Sequence, residues 1–544
     1  MENNLIICFQ ITSFLSLITL ASIIKLYLSK LLKTTTQTTP GPLPPGPTGW
    51  PVIGSLPEMI KNKPTSQWIH KLMQQYNTEI ACIRLGTTYI IPVTSPELAR
   101  EFLYKHDQIF ASRPVCMTGQ LTSNNYLSAA LSPSGDQWLK MRKIVASKIL
   151  SPAMHKFLHI KRCQEADHLV RYVYSQCRKN DHGLVKIRVA AQHYCGNVIR
   201  KLVFGKRFFG PGTEDGSPGT EEIEHVAGFF SILQHLYGFA IADYAPWMEV
   251  FDLDGYKRAI KNGINSVNKY HDPEIMKRVE MWKQGIKNRE DDILDVLINL
   301  RDSENNPLLS IQEIKTQITE IMIATIDNPS NAVEWAIAEM INQPHILERA
   351  YDELDRVVGR GRLVQESDIP NLNYIKSCVK ESFRLHPIAP FILPHVSTQD
   401  AIVGESYFIP KGSHVLLSRI GLGRNPRVWK DPLVYDPGRH IVDNQDLEVV
   451  LIDRELHMLS FGVGRRGCPG TVLGSTMAII LLARLVQGFY FTAPLDKINV
   501  DLAESEYNLQ MAKPLVAQVT PRLEPEVYLH VNNPRNTTEI YMNH

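Results

Sequence analysis

Apolar and polar positions follow three different rhythms along the 544 residues. Leu5 to Leu28 is an almost unbroken apolar run whose one charge, Lys25, lies near its end. About 20 apolar residues suffice for a helix to cross a bilayer, so residues 5–28 are expected to form a transmembrane anchor within residues 1–33. Gln10, Thr12 and Ser13 make this run less apolar than many spans. No positive charge precedes it and no Ala-x-Ala site follows, which argues against a cleaved signal peptide. Lys25, Lys30 and Lys33 lie on its C-terminal side and Glu2 on the other. That asymmetry places the body of the protein in the cytosol and the short N-terminus in the lumen.

Beyond residue 55 the rhythm changes. Arg84 to Val93 alternates around Gly86 and predicts a short hairpin. From Asp136 onward apolar residues recur at three- and four-residue spacing, so helices dominate. Ile311 to Ile341 is the longest such pattern, Val472 to Val486 is another, and Glu290-Asp-Asp292 precedes a third that runs towards Leu300. Gly210 to Pro218 reads as an exposed loop, and Ala401 to Ile409 as a short strand before Pro410-Lys-Gly412. The expected fold class is mainly α with a small β region, one large domain over residues 56–544 without repeats. Residues 34–55 join it to the anchor as a polar and Pro-rich hinge, because the prolines of Pro40-Gly-Pro-Leu-Pro-Pro-Gly-Pro47 hold the chain extended.

Composition narrows the function classes. With 44% hydrophobic residues the chain can bury a large core, and 58 basic against 56 acidic residues gives no reason to expect nucleic acid as a partner. The eight cysteines (8, 82, 116, 163, 177, 195, 378 and 468) show no paired spacing and no Cys-x-x-Cys, so neither a disulfide framework nor a zinc site is indicated. A reducing compartment fits. Asn536-Thr-Thr matches a glycosylation sequon that a cytosolic body would leave unused.

The chemistry concentrates in Ser460-Phe-Gly-Val-Gly-Arg-Arg-Gly-Cys-Pro-Gly470. Gly462, Gly464 and Gly467 allow tight turns and close approach to a flat partner. Arg465 and Arg466 favour thiolate over thiol at Cys468. The helix expected from Val472 would set its N-terminal dipole near the same sulfur. A thiolate so held can serve as the axial ligand of haem iron. Phe461, Gly464, Arg466, Cys468 and Gly470 fill every fixed position of Phe-x-x-Gly-x-Arg-x-Cys-x-Gly, and the phrase resembles the haem-binding signature of cytochromes P-450. The resemblance covers Pro44 to about Leu523 and implies the cytochrome P-450 fold.

Three further constellations extend it. Glu381 and Arg384, in Lys380-Glu-Ser-Phe-Arg-Leu-His-Pro387, lie three apart and share a helix face. The family implies a buried Glu-Arg pair there, completed by Arg439 and bracing the haem from the cysteine side. Gly438 stands where a glutamate is usual, and the sequence leaves open whether losing that side chain loosens the brace. Trp138 and Arg142 match the Trp-x-x-x-Arg pattern that holds haem propionates, and His395 stands where a basic propionate partner is common. Lys140, Lys143 and Arg465 are expected to enrich a basic face for an acidic reductase.

The long helix carries Ala324-Thr-Ile-Asp-Asn-Pro-Ser-Asn-Ala332. The family's acid is present as Asp327, but Asn328 replaces the usual threonine. Pro329 removes one helical hydrogen bond and is expected to kink the helix over the haem. This segment, with Trp335, Glu339, Arg439-His440 and Phe204-Gly-Lys-Arg-Phe-Phe-Gly210, is similar to the plant amino-acid N-monooxygenases that make aldoximes. The resemblance implies haem b (iron-protoporphyrin IX), dioxygen as co-substrate, and NADPH acting through a separate NADPH-cytochrome P-450 reductase. It also implies a hydrophobic L-amino acid substrate, branched aliphatic or aromatic, and an endoplasmic reticulum membrane. Asp327 and Asn328 are the expected catalytic residues. Ser112-Arg113, Thr122 to Asn125 and Phe391-Ile392 are candidate substrate loops. A P-450 that hydroxylates carbon in a plant secondary metabolite is the nearest rival. A thiolate-haem isomerase or dehydratase and a non-catalytic haem sensor are the others.

Overall fold

The computed structural model describes residues 41–179, 183–210, 212–214, 216–404, 406–441, 448–505 and 508–529. The expected anchor, the hinge before Gly41 and the Asn536 sequon lie outside the described residues. From Gly41 onward the proline-rich segment is tied to the body. The Pro42 carbonyl accepts from Phe408 N at 2.8 Å and the Pro45 carbonyl from Cys82 N at 2.9 Å.

Eight helices frame the site: α1 (Asp136–Ile144), α2 (His159–Lys179), α3 (Ile187–Phe204), α4 (Thr220–His235), α5 (Tyr256–Lys283), α6 (Ile311–Asn342), α7 (Asn373–Leu385) and α8 (Thr471–Gly488). α6 runs through the middle and packs on α3, α7 and α8. Its start is set by a capping box, in which the Ser310 hydroxyl accepts from Glu313 N and the Glu313 carboxylate accepts from Ser310 N. Its side chains from Ala332 to Met340 are buried, including Trp335 at 0% exposure. α8 is long and apolar enough to cross a membrane, yet most of it is buried in the core. α4 and α5 approach so closely that a Cβ on Gly263 would lie 2.7 Å from the Gly228 carbonyl oxygen, so glycine is required at the crossing.

The β region is small. In chain order the strands are β1 (Ile83–Leu85), β2 (Thr88–Val93), β3 (Leu184–Lys186), β4 (His395–Val396), β5 (Ala401–Val403), β6 (Tyr407–Ile409), β7 (His414–Leu417), β8 (Phe489–Thr492) and β9 (Val516–Pro521). One sheet has the order β1-β2-β7-β4, with β1 and β2 antiparallel around Gly86 at φ +58° and β2 parallel to β7. A second has the order β3-β9-β8. Ala401 to Ile409 is a hairpin rather than a single strand, because Gly404 at φ +59° turns β5 back onto β6. The expected helix ahead of Leu300 is Ile293–Asn299, capped by the Asp292 carboxylate accepting from Asp295 N. Gly210 to Pro218 forms no helix or strand among its described residues and is largely half-buried rather than exposed.

Candidate active site

The loop before α8 wraps around one sulfur. Gly462 and Gly464 have φ of +61° and +70°, and a Cβ on Gly464 would strike the Leu103 carbonyl oxygen at 2.5 Å. Gly467 keeps a negative φ and serves by lacking bulk. Cys468 N donates to the Phe461 carbonyl at 2.8 Å, and the Thr471 hydroxyl donates to the Cys468 carbonyl at 2.9 Å. Among the described cysteines Cys468 alone is accessible, because a cavity reaches its sulfur. Protein still surrounds the thiol on its other sides, and that burial raises its pKa. The Gly470 amide and the Arg142 and Arg419 charges act the other way and favour the thiolate. Phe461 stacks edge-on to Phe383 beside the loop, with ring centres 5.7 Å apart.

The cavity above has a volume of about 1020 Å³. Its sulfur end is lined by Arg113, Trp138, Arg142, His395, Arg419 and Arg466. None of these arginines has a carboxylate partner within ion-pair distance among the described residues. Arg113 instead donates to the carbonyls of Ala130, Leu393 and Pro394, and Arg466 to those of Ala111 and Ser132. Burial pushes Arg113 and Arg419 down to about 10. Burial and the neighbouring Arg113 and Arg142 push Arg466 to about 8. Its Nη1 has no hydrogen-bond partner, while its guanidinium lies 4.2 Å from the Trp138 ring centre. Buried cations without counter-charge are costly, so this end is suited to an anionic guest. A thiolate-capable sulfur beneath a roomy cavity, ringed by unpaired arginines, fits a haem whose two propionates supply the missing negative charge.

His395 lines the cavity, but as a neutral ring. Its Nδ1–H donates to the Phe110 carbonyl at 2.8 Å, and burial followed by the Arg113 and Arg466 charges lowers its pKa to about 3. Nε2 therefore carries a proton only if an anion alongside draws one in. Arg113, expected in a substrate loop, lines the cavity between Glu320 and the Arg142 and Arg466 charges.

On the far wall, α6 presents Glu320, Ala324, Asp327, Asn328 and Pro329 to the cavity. The helix continues through Pro329, as its residues up to Asn342 require. Pro329 cannot donate to the Thr325 carbonyl, and nearby side chains take up adjacent acceptors. The Asn328 amide donates to the Ala324 carbonyl at 2.7 Å, and the Ser330 hydroxyl donates to the Ile326 carbonyl at 2.7 Å. Asn328 Oδ1 is left without a partner. Asp327 accepts from Gln510 Nε2 at 3.0 Å, and burial raises its carboxyl to about 6 against the opposing Gln510 hydrogen bond and Arg188 charge. Gln510 and Arg188 both line the cavity and carry no motif that could have singled them out in the sequence.

Comparison with known proteins settles the family. The family description Cytochrome P450 matches residues 44–516 of this chain. The chain is a cytochrome P450. It is 50% identical over 523 residues to a tryptophan N-monooxygenase of Prunus mume, covering 95% of this chain and 98% of the relative. It is 52% identical over 491 residues to a phenylalanine N-monooxygenase of Arabidopsis thaliana, covering 89% and 92%. A valine N-monooxygenase of Manihot esculenta is 51% identical over 518 residues, covering 95% and 94%. The resemblance to the amino-acid N-monooxygenase group is thereby borne out, and the protein is an oxidoreductase of the monooxygenase type.

In this P450 the brace below the cysteine loop is a closed network. Glu381 accepts from Arg384 at 2.7 and 2.8 Å, from Arg439 at 3.0 Å, from His440 at 2.7 Å and from Asp436 N at 2.9 Å. Arg384 also donates to the carbonyls of Gly423, Pro432 and Val434, over the face of Trp429. Burial raises the Glu381 pKa, but the Arg384 and His440 hydrogen bonds outweigh it and hold the carboxyl at about 2. His440 is the partner that motif reading did not assign. Gly438 leaves the brace intact, since all the donors reach Glu381 without it. A Cβ there would lie 2.9 Å from Asp436 Oδ1, which accepts from Gly438 N.

The remaining sequence candidates divide. Thr122, Phe391 and Ile392 line the cavity, and Thr122 Oγ1 is buried without a partner. Ser112 is occupied elsewhere, accepting from Ser134 N. Asn124 and Asn125 bond to Gln312 and Gln120 outside the cavity lining. Of the residues expected to enrich a basic face, Lys140 is paired with Glu313 at 2.6 Å and Arg465 with Asp107 at 3.3 Å, while Lys143 is exposed.

Proposed function

We propose that this P450 converts a hydrophobic L-amino acid, branched aliphatic or aromatic, to its aldoxime. The amine is hydroxylated twice, and the product then loses water and carbon dioxide. One observation carries the reading: three relatives with different amino acids in their names share the N-monooxygenase reaction at about half identity over nearly the whole chain. The lining supports it. Phe230, Leu233, Ile321, Ile323 and Phe391 provide apolar walls for such a side chain, beside polar groups on α6. The test is to supply each protein amino acid singly to membranes carrying the protein and a reductase, and to seek oximes by mass spectrometry. Conversion of one hydrophobic amino acid supports the reading. No conversion while the haem is bound contradicts it.

Cys468 would ligate the iron, with Arg113, Trp138, Arg142, Arg419 and Arg466 holding the propionates. The bound haem b supplies dioxygen activation with electrons from NADPH, delivered by a separate reductase that docks near Lys143. Asp327, titrating near 6, is ionised at neutral pH yet weakly basic, so it accepts and returns a proton readily. Gln510 fixes its orientation, and the free Asn328 Oδ1 accepts a hydrogen bond from water or the substrate nitrogen. Leu, Ile and Phe side chains form the walls around these polar groups.

Asp327→Asn tests this role. A carboxyl raised from its usual 3.8 to about 6 costs stability as pH climbs through that window. The asparagine variant is therefore expected to melt no lower than the parent at pH 7, while turnover falls about 100-fold. Its pH–rate profile should also lose the inflection near 6. A variant that melts lower and keeps that inflection contradicts the assignment.

We further infer that residues 5–28 anchor the protein in the endoplasmic reticulum membrane, residues 34–55 form the connection, and residues 56–544 face the cytosol. Trp247, Val250, Phe251 and Leu253 are 60–86% exposed. Their neighbour Met248 packs against the same buried cluster as Ile53 and Trp68, so this apolar surface lies on the side where the chain enters the body.

A further inference from the structure

We propose that Glu320 pairs the α-ammonium group of the substrate and so selects amino acids over other apolar molecules. The assignment rests on the N-monooxygenase reading above. Glu320 stands on α6 about two turns before Asp327 and lines the same cavity. Ala130 N donates to both its oxygens at 3.0 Å, and Gln317 Nε2 donates to Oε1 at 3.1 Å. These neutral donors fix the carboxylate in place without neutralising it. No ammonium or guanidinium lies within ion-pair distance of it among the described residues.

Of the other two carboxylates lining the cavity, Asp327 is the proposed proton-transfer group and accepts from Gln510, and Asp254 accepts from Ile241 N and faces Lys63. Arg113 and Arg466 feel the charge of Glu320 from a distance but spend their N–H groups on carbonyls. If these arginines hold propionates, their charge is compensated there, and Glu320 is left facing added negative charge. Burial already disfavours its ionised form. A buried carboxylate of this kind is completed by a cation, and the substrate brings one. Ala324, between Glu320 and Asn328 on the same face, offers only a methyl group and leaves room for the backbone of an amino acid.

The experiment uses the full-length holoprotein with Glu320→Gln, which keeps an oxygen for Ala130 N but removes the charge. The probes are the amino acid that the parent converts and its deaminated acid, each titrated by the absorption change on binding, together with KM and kcat. The expected result is a Kd for the amino acid about 10- to 100-fold weaker. The deaminated acid should bind unchanged, and KM should rise more than kcat falls. Equal weakening of both probes marks Glu320 as a clamp on the Ala130 loop and overturns the proposal, as does unchanged amino-acid affinity. Should the variant fail to accumulate, the parent decides by its affinity for the N-trimethyl amino acid against the tert-butyl isostere without charge. Tighter binding of the cation is expected, and equal binding overturns the proposal. A parent that converts amino acids while these tests fail loses only the Glu320 assignment. A parent that converts none loses the proposed function as well.

Discussion

Cys468→Ala is expected to give a folded chain that shows no long-wavelength thiolate band in its reduced carbon monoxide complex and no turnover. The backbone around Cys468 is held by its own amide to the Phe461 carbonyl and by the Thr471 hydroxyl to its carbonyl, and neither bond involves sulfur. Removing Sγ therefore leaves the loop in place. Little packing is lost, because the sulfur faces the cavity. What disappears is the one accessible thiol among the described cysteines, the others being buried away from the cavity or pushed to about 11 or higher. The measurements are haem content per chain, the carbon monoxide difference spectrum and product formation. A thiolate band that survives the exchange would place the ligand elsewhere and undo the site as described.

Glu381→Ala is expected to destabilise the body by about 3–5 kcal/mol, enough to prevent a stable holoprotein from accumulating. Both Glu381 and Arg384 are 0% exposed, and losing the carboxylate leaves Arg384 charged and uncompensated in the interior. Arg439 and His440 lose the same partner. A carboxyl held at about 2 against an ordinary 4.5 stabilises the folded state above the unfolded value, by about 3 kcal/mol. That contribution fades as pH falls from about 4.5 towards 2, so the parent is expected to lose stability across this acid window and Glu381→Gln to show a flatter dependence there. Chemical denaturation at several pH values measures it. A Glu381→Ala protein as stable as the parent would show that the network contributes only geometry.

Much of this was legible because it is local. The cysteine loop announces itself through glycines that must turn within eleven residues, and two of them do adopt positive φ. The Glu381–Arg384 pair is written at helical spacing, and α6 and α8 follow their apolar periodicity. What escaped notice is assembled from distant segments. Gln510 reaches Asp327 across 183 residues, and Arg113 meets the Leu393 and Pro394 carbonyls across about 280. No spacing rule connects such partners. Surroundings also qualify two expectations drawn from residue type: His395 is a neutral ring that takes a proton only beside an anion, and Lys140, still one-third exposed, is paired with Glu313. Gly438 removes nothing from the brace, because His440 and the Asp436 amide complete the set of donors around Glu381. Ala401 to Ile409 has the composition of one strand, but a single glycine turns it into two.

The central claim, oxidation at the amine nitrogen of an amino acid, is tested most directly by isotopes. Membranes carrying the protein and a reductase would receive the converted amino acid labelled with nitrogen-15 at the amine and carbon-13 at the carboxyl, and the product would be weighed by mass spectrometry. The account predicts an oxime that retains the nitrogen label and has lost the carboxyl carbon as carbon dioxide. A product that keeps the carboxyl carbon and carries its new oxygen on carbon would contradict it.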